Sequence, residues 1–339
     1  MGIRDPVVKL FDWIVNGTGH GTTELARRLG IPEQELRTVD PVYHAFSIPK
    51  RSGGTRKILA PEPRLKRFQR LLLRRVFAKL SVHPAATGFE PGRSIVTNAR
   101  THQGQAVVLR FDLIDFFSST STKRLRKYFR QIGWNRPASK LLLRLCTQQG
   151  GLPQGAPTSP RLSNLLNYRL DARLAGLIVK LRGRYTRYAD DITISFATRD
   201  LHAAGKSDFP ARNSAGGTPN HPTQTPTGQD TIRSITRAVQ KVIESEGYRM
   251  HHRKKLSVRR QHQQQVVTGL VVNQRVNLPR STRRWLRAVE HRTQMSQPLS
   301  LTSYQPGSYS RRKSPTLSPA QLEGWRSFRA MVQRQAIDD

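Results

Sequence analysis

Residues 184–196 read RYTRYADDITISF. Two short runs of β-branched and aromatic residues flank an adjacent acid pair, Asp190 and Asp191, so the segment reads as two strands joined by a tight turn. Acids are scarce here: 22 Asp+Glu stand against 58 Lys+Arg in 339 residues, a formal net charge of +36. An Asx-type turn accounts for most acid pairs at such corners. These strands look buried, however, and a third acid, Asp112, ends another strand-like run, VVLRFD, in the same way. Three carboxylates at the ends of buried strands repel one another unless a cation lies between them. Lysine or arginine can supply it, and so can Mg2+, which takes one or two carboxylates plus substrate phosphates. Paired divalent ions about 3.5–4 Å apart serve in-line phosphoryl chemistry.

The charge points to a polyanion partner, nucleic acid first and a membrane surface second. No run of 18 apolar residues exists, so no membrane span is expected. The N-terminal stretch lacks a signal-peptide cleavage pattern. The single cysteine, Cys146, excludes an intrachain disulfide and a cysteine-cluster zinc site. A reducing, cytoplasmic location fits.

Residues 1–48 read as helical, with a helix pair over 22–39 broken at Gly30-Ile31-Pro32. Residues 44–61 read as a basic hairpin turning at Ser52-Gly53-Gly54, followed by a basic helix over 62–81. AVVLRFDLIDFF, 106–117, reads as a buried strand running into a helix. Helices are expected over 121–132 and 137–148. Ser159-Pro160, as cap and first-turn proline, open another that runs to about 181. Residues 202–230, rich in Gly, Pro, Thr, Ser and Asn, read as a flexible insertion. Helices over 231–247, 280–294 and 319–336, a strand pair over 264–278 and a linker over 296–319 complete an α+β chain.

YADD (188–191), FDLIDFF (111–117) and LPQGAPTSP (152–160), in this order, resemble the core motifs of reverse transcriptases. The resemblance spans about residues 44–290. It implies a right-hand polymerase fold of fingers, palm and thumb, with an antiparallel palm sheet packed on helices. On that pattern 1–48 is an N-terminal helical extension and 49–105 the fingers. Residues 106–278 form the palm with its 202–230 insertion, and 279–339 a basic helical thumb and tail. Asp112, Asp190 and Asp191 then match the carboxylates that hold two Mg2+ ions, with Mn2+ as the alternative, and Leu113 adds its backbone carbonyl. Asp115 falls near the sugar and phosphates of a deoxynucleoside triphosphate, although a helix first-turn acid is an equal reading. Phe117 falls at the position whose ring excludes a 2′-OH. IPKRSGGTRKI resembles the hairpin that closes over the triphosphate, with Lys50 and Arg56 as phosphate contacts and Arg51 in reserve. Gln154 and Gly155 match the loop supporting template and nucleotide. Lys254, with Lys255 unresolved against it, fits the lysine that protonates the leaving pyrophosphate.

Asn98, Ala99 and His102 fit an Asn-Ala-x-x-His signature, and Val267-Thr268-Gly269 a second one. Both mark retron reverse transcriptases, and Phe89, Gly92, Arg93, Ser94 and Ile95 in GFEPGRSI, 88–95, resemble the segment that precedes the first signature in that group. That resemblance implies a bacterial enzyme with a structured non-coding RNA as partner, primed from an internal guanosine 2′-OH. The product is a single-stranded DNA on a branched RNA–DNA molecule, with an RNA–DNA heteroduplex on the way. An effector protein in anti-phage defence is implied as a further partner. Asn98, His102 and 267–269 are the expected RNA contacts, with Arg283, Arg284 and Arg287 around Trp285 on a basic helix. The alternatives are another bacterial reverse transcriptase, either a group II intron maturase or an abortive-infection type, and a non-catalytic RNA-binding scaffold. An RNA-dependent RNA polymerase is disfavoured by Phe117.

Overall fold

The computed structural model describes residues 18–50, 53–200, 228–251, 256–294 and 317–337. In chain order, α1 (Thr22–Leu29) and α2 (Glu33–Thr38) precede the hairpin β1 (Tyr43–Pro49) and β2 (Thr55–Pro61). α3 (Pro63–Leu72) continues into a π-helical turn, Leu73–Phe77. Next come α4 (Ile95–Arg100), β3 (Val107–Asp112), α5 (Thr122–Gln131), α6 (Arg136–Cys146), α7 (Ser159–Leu166) and α8 (Tyr168–Lys180). The acid-pair hairpin is β4 (Arg184–Tyr188) and β5 (Asp191–Phe196). α9 (Gly228–Ser245), β6 (Ser257–Arg260), β7 (Val266–Val267), β8 (Leu270–Val271), α10 (Arg280–Gln294) and α11 (Pro319–Ile337) follow.

The chain divides into two compact units. One comprises Met1–Lys50, Gly54–His83 and Ile114–Arg169, and the other Arg51–Gly53, Pro84–Leu113 and Leu170–Asp339. The stretch 106–278 therefore draws on both.

In the first unit, one face of each helix supplies an apolar stripe. Leu25 and Leu29 of α1, Leu36 of α2, Phe68 and Leu72 of α3, Leu125 and Phe129 of α5 and Leu142 and Leu145 of α6 share a core. The hairpin stands clear of it: every residue of β1 after Tyr43 is exposed. Its β2 arm is tied to the 152–155 loop, where Leu59 N–H donates to the Gln154 carbonyl at 2.8 Å.

The second unit is built on an antiparallel sheet in the order β4-β5-β3-β6. Period-two alternation gives it two unlike faces. Leu109, Phe111, Ile192, Ile194 and Phe196 lie on one face and are buried. Arg110, Asp112, Asp191, Thr193 and Ser195 lie on the other. Asp171 of α8 bonds Tyr185 and Arg187, which places α8 on the apolar face. Val108, on the polar face, packs with Val267, Leu270 and Val96 in a second core that α11 also joins through Val332.

The structure departs from the expected elements in several places. Residues 43–48 are strand, so the helical reading of 1–48 holds only for α1 and α2 among the described residues. No helix follows β3 directly. Ile114–Ser119 form turns, with Asp115 at φ +48°. Serine hydroxyls bond carbonyls locally there, Ser118 Oγ donating to Asp115 O and Ser119 Oγ to Ile114 O, and Ser119 N–H closes one helix-type bond to Asp115 O at 2.7 Å that does not propagate. The helix expected from Ser159 to 181 is two, interrupted at Asn167, whose amide donates to the Ser163 carbonyl at 2.8 Å. Thr158, not Ser159, holds its N-cap position, without a side-chain capping bond, and Ser159 Oγ donates to Pro153 O at 2.7 Å. Most of the 202–230 insertion and the 296–319 linker lie outside the described residues.

Candidate active site

β4 and β5 pair with Tyr188 opposite Asp191, leaving Ala189 and Asp190 as the turn. Ala189 takes the left-handed conformation, φ +57°. β3 lies on the other side of β5, and its last residue, Asp112, is the direct cross-strand partner of Asp191. Leu113 N–H donates to the Asp190 carbonyl at 3.1 Å, which fixes the third acid's backbone beside the same strand end. Like charges directly opposite in a sheet are unfavourable, so this placement needs compensation. Arg110 supplies part of it: its Nη2 lies 3.2 Å from both carboxylate oxygens of Asp191, and its Nη1 donates to Val266 O at 3.4 Å. His251 lies beside the other acid, with Nε2 3.7 Å from Asp112 Oδ2 and its backbone N–H donating to Asp112 O at 3.2 Å.

Asp112 and Asp191 keep part of their surface in contact with solvent, so a small ion can reach them. Among the described residues no three His, Cys, Asp or Glu side chains close into a complete ligand set. Instead Asp191 is turned to Arg110. The donors are hard carboxylate oxygens, with a backbone carbonyl at Leu113, and they suit Mg2+, which keeps waters and shares its shell with substrate phosphates. The residues present fit such ions.

The turn is also packed from outside. Residues 85–87 run parallel to β4, with Thr87 N–H donating to Arg187 O and Arg187 N–H to Ala85 O, each at 2.8 Å. A side chain at Gly88 would put Cβ 2.8 Å from Ala189 N. Only glycine lets the two backbones approach this closely.

The expected nucleotide contacts lie in the first unit. Lys50 and Arg56 are exposed on the hairpin, whose end is closed by Lys50 N–H donating to Gly54 O at 2.9 Å. Leu152 N–H donates to Phe117 O at 3.1 Å, and the next loop residues carry Gln154 and Gly155 onto β2. Phe117, Gln154, Gly155 and the hairpin are thus brought together. Phe116 is buried, whereas Phe117 is half-buried, packed on the first unit's core and edge-on against Phe116 at 5.3 Å. Asp115 is exposed, and its left-handed backbone removes the helix first-turn reading. Lys254, with Lys255, and Arg51 lie outside the described residues.

Three of the expected RNA contacts require correction. His102 is fully buried, bonded through Nδ1 to Ser195 Oγ at 2.7 Å and through Nε2 to Thr186 Oγ1 at 2.8 Å. Asn98 accepts from Thr87 Oγ1 at 2.8 Å inside the same unit, and Val267 is core. These residues fasten α4 and the β7–β8 turn to the sheet and lie beneath its surface. Thr268 and Gly269 do reach the surface, at φ +46° and +84°. Arg283, Arg284 and Arg287 are exposed on α10, whereas Trp285 packs edge-on against Trp325 at 5.1 Å.

Burial holds the His102 imidazole down to about 3, with the positive Arg184 adding to the effect. The unfolded imidazole takes up a proton from about pH 6.5 downward. Folded His102 does so only near 3, so acidification through this window favours the unfolded chain. The loss amounts to roughly 3–5 kcal/mol. A His102→Gln variant should lack this part of the acid slope when its denaturation midpoints at pH 7 and pH 4 are compared with the parent's. Equal slopes would place the ring in water.

Residues 48–214 match the family described as reverse transcriptase (RNA-dependent DNA polymerase). The chain carries a reverse transcriptase domain. It is 38% identical over 306 residues to the retron Mx162 reverse transcriptase of Myxococcus xanthus, covering 81% of this chain and 59% of that one. To the retron Mx65 reverse transcriptase of the same organism it is 36% identical over 273 residues, 75% of this chain and 57% of that. To the retron Ec86 reverse transcriptase of Escherichia coli it is 39% identical over 162 residues, 47% of this chain and 51% of that. The matches therefore span between 51% and 59% of these relatives' lengths. No helix among the described residues is long and apolar enough to cross a membrane.

Arg110, His251, Arg187 and Asp171 are the residues around the acids that sequence reasoning missed. A partial signal existed for Arg187: in RYTRY it falls on the same strand face as Tyr185, facing the core.

Proposed function

We propose that this reverse transcriptase is the RNA-directed DNA polymerase of a retron. The observation that carries the reading is Asp112 directly opposite Asp191, with Asp190 in the adjoining turn. Asp112, Asp190 and Asp191 would hold two Mg2+ ions, with Mn2+ as a substitute, aided by the Leu113 carbonyl. Bound there, such ions neutralise charge on a triphosphate and lower the pKa of an attacking hydroxyl. The chain's own residues do the rest. The β3–β5 ladder sets the spacing of the two facing carboxylates. Arg110 compensates Asp191, and His251 flanks Asp112.

In this reading the β1–β2 hairpin belongs to the fingers, the four-stranded sheet to the palm, and α10 and α11 to the thumb. Lys50, Arg56 and Asp115 contact the incoming deoxynucleoside triphosphate, Gln154 and Gly155 support it, and Lys254 protonates the leaving pyrophosphate. Phe117 excludes the 2′-OH. Phe117→Ala should then raise ribonucleotide incorporation relative to deoxynucleotide by about 10²-fold or more, within the range open to a site that rejects a substituent by fit. Unchanged sugar discrimination in competing-substrate assays would remove Phe117 from this role.

The template is a cognate structured non-coding RNA, gripped by Thr268, Gly269, Arg283, Arg284 and Arg287. Synthesis starts at an internal guanosine 2′-OH and yields a branched RNA–DNA molecule. The complex acts in the bacterial cytoplasm with an effector protein in anti-phage defence. Sequence similarity to the three retron enzymes and the exposed arginines of α10 support this. Nucleic acid recovered from the purified protein should contain DNA joined to RNA through a 2′ linkage. Spliced intron RNA, or no RNA-linked DNA at all, would contradict the retron assignment.

A further inference from the structure

Arg187 occupies a position that the sheet's alternation reserves for apolar side chains. It is completely buried, and so is its partner Asp171 on α8. Arg187 Nε and Nη2 donate to the two carboxylate oxygens of Asp171 at 2.8 and 2.7 Å, and Tyr185 Oη donates to Oδ1 at 2.7 Å. The third guanidinium nitrogen, Nη1, donates to the carbonyl of Ala189 at 3.1 Å. That carbonyl belongs to the peptide joining Ala189 to Asp190. Arg187 therefore ties the turn that carries the acid pair to the first turn of α8.

A buried ion pair of this kind contributes little net stability compared with well-packed apolar side chains, because desolvation offsets the attraction. Stability alone therefore does not account for it. What apolar side chains cannot do is hold a carbonyl. Ala189 is buried and in the left-handed region, so its carbonyl needs a donor and its backbone needs restraint. Gly88 presses on its N–H side and Arg187 bonds its C=O side. The next two residues are the acids.

We propose that Arg187, locked by Asp171 and Tyr185, is a positioning residue: it fixes the Ala189–Asp190 peptide so that Asp190 and Asp191 face Asp112 in register for divalent ions. The inference rests on the polymerase reading and assigns that site a support two residues deep in the core. Its removal should disturb the carboxylates without touching substrate. Misplacing reacting groups by about 1 Å can cost 10²-fold in rate.

The test uses the full chain and three variants, read by thermal unfolding, by Mn2+ titration followed by electron paramagnetic resonance, and by steady-state primer extension. Arg187→Met leaves the Asp171 carboxylate buried and unpaired and should lower the unfolding midpoint. The double variant Arg187→Met with Asp171→Leu removes both charges and should regain most of that midpoint. Its kcat should nevertheless stay about 10²-fold down, its Mn2+ binding should weaken, and its deoxynucleotide KM should hold. Arg187→Lys keeps a charge for Asp171 but cannot span both the carboxylate and the Ala189 carbonyl. It should stay folded and show the same kcat and Mn2+ defects, which covers a double variant that fails to fold. Parental kcat and Mn2+ affinity in the double variant or in Arg187→Lys would reduce the pair to a structural role and overturn the proposal. An Asp112→Asn control separates the two claims: if it stays fully active, the polymerase site itself is misplaced.

Discussion

Asp112→Asn should reduce deoxynucleotide incorporation by about 10³-fold or more, equivalent to roughly 4 kcal/mol of transition-state stabilisation. The same substitution should leave the protein as stable as the parent or slightly more so. Asp112 faces Asp191 across the β3–β5 ladder, and removing one of two opposed like charges relieves a repulsion of about 0.2–1 kcal/mol. Asparagine keeps the shape, and the contacts through the backbone carbonyl of Asp112, such as the His251 N–H bond, are untouched. Loss of activity with retained stability is the signature of a side chain kept for function against the interest of the fold. A fall in unfolding temperature parallel to the fall in activity would mean that Asp112 serves the fold.

Gly155→Val should produce the second large effect, in the other unit. Gly155 has φ +129°, a region that costs other residues of order 1–3 kcal/mol. A Cβ there would lie 2.7 Å from Leu59 O and 2.9 Å from Ile58 Cγ2, so the loop would have to lift from β2. Lifting it breaks the bond from Leu59 N–H to Gln154 O, the tie between hairpin and loop. The expected result is a loss of about 3 kcal/mol, or roughly 6–12 °C in unfolding temperature for a unit of this size. Deoxynucleotide KM should rise more than kcat falls, because the expected nucleotide contacts Gln154 and the hairpin separate. Unchanged KM would detach this loop from nucleotide binding.

The parts legible in the sequence were those governed by short-range patterns. RYTRYADDITISF alternates cleanly, so its strands and turn followed from residue type alone. VVLRFD was read as a strand for the same reason, and its last residue meets Asp191 as the shared charge problem required. The basic hairpin over 44–61 was visible in its Gly-Gly turn.

What stayed hidden depended on partners distant in the chain or on competition for backbone groups. Asp115 sits in a turn at φ +48°, where the hydroxyls of Ser118 and Ser119 bond the carbonyls of Asp115 and Ile114, which composition does not reveal. A histidine in a short signature looks available for RNA, but His102 is buried. Its true partners, Ser195 and Thr186, lie 93 and 84 residues away. Arg187 and Asp171 are 16 residues apart on a strand and a helix, and only the packing of α8 on the sheet joins them.

The most direct test of the central claim is template-directed deoxynucleotide incorporation by the purified chain carrying Asp190→Ala and Asp191→Ala together, assayed with Mg2+ on an RNA template. The account predicts that a folded double variant makes no detectable DNA. Incorporation at the parental rate would contradict it.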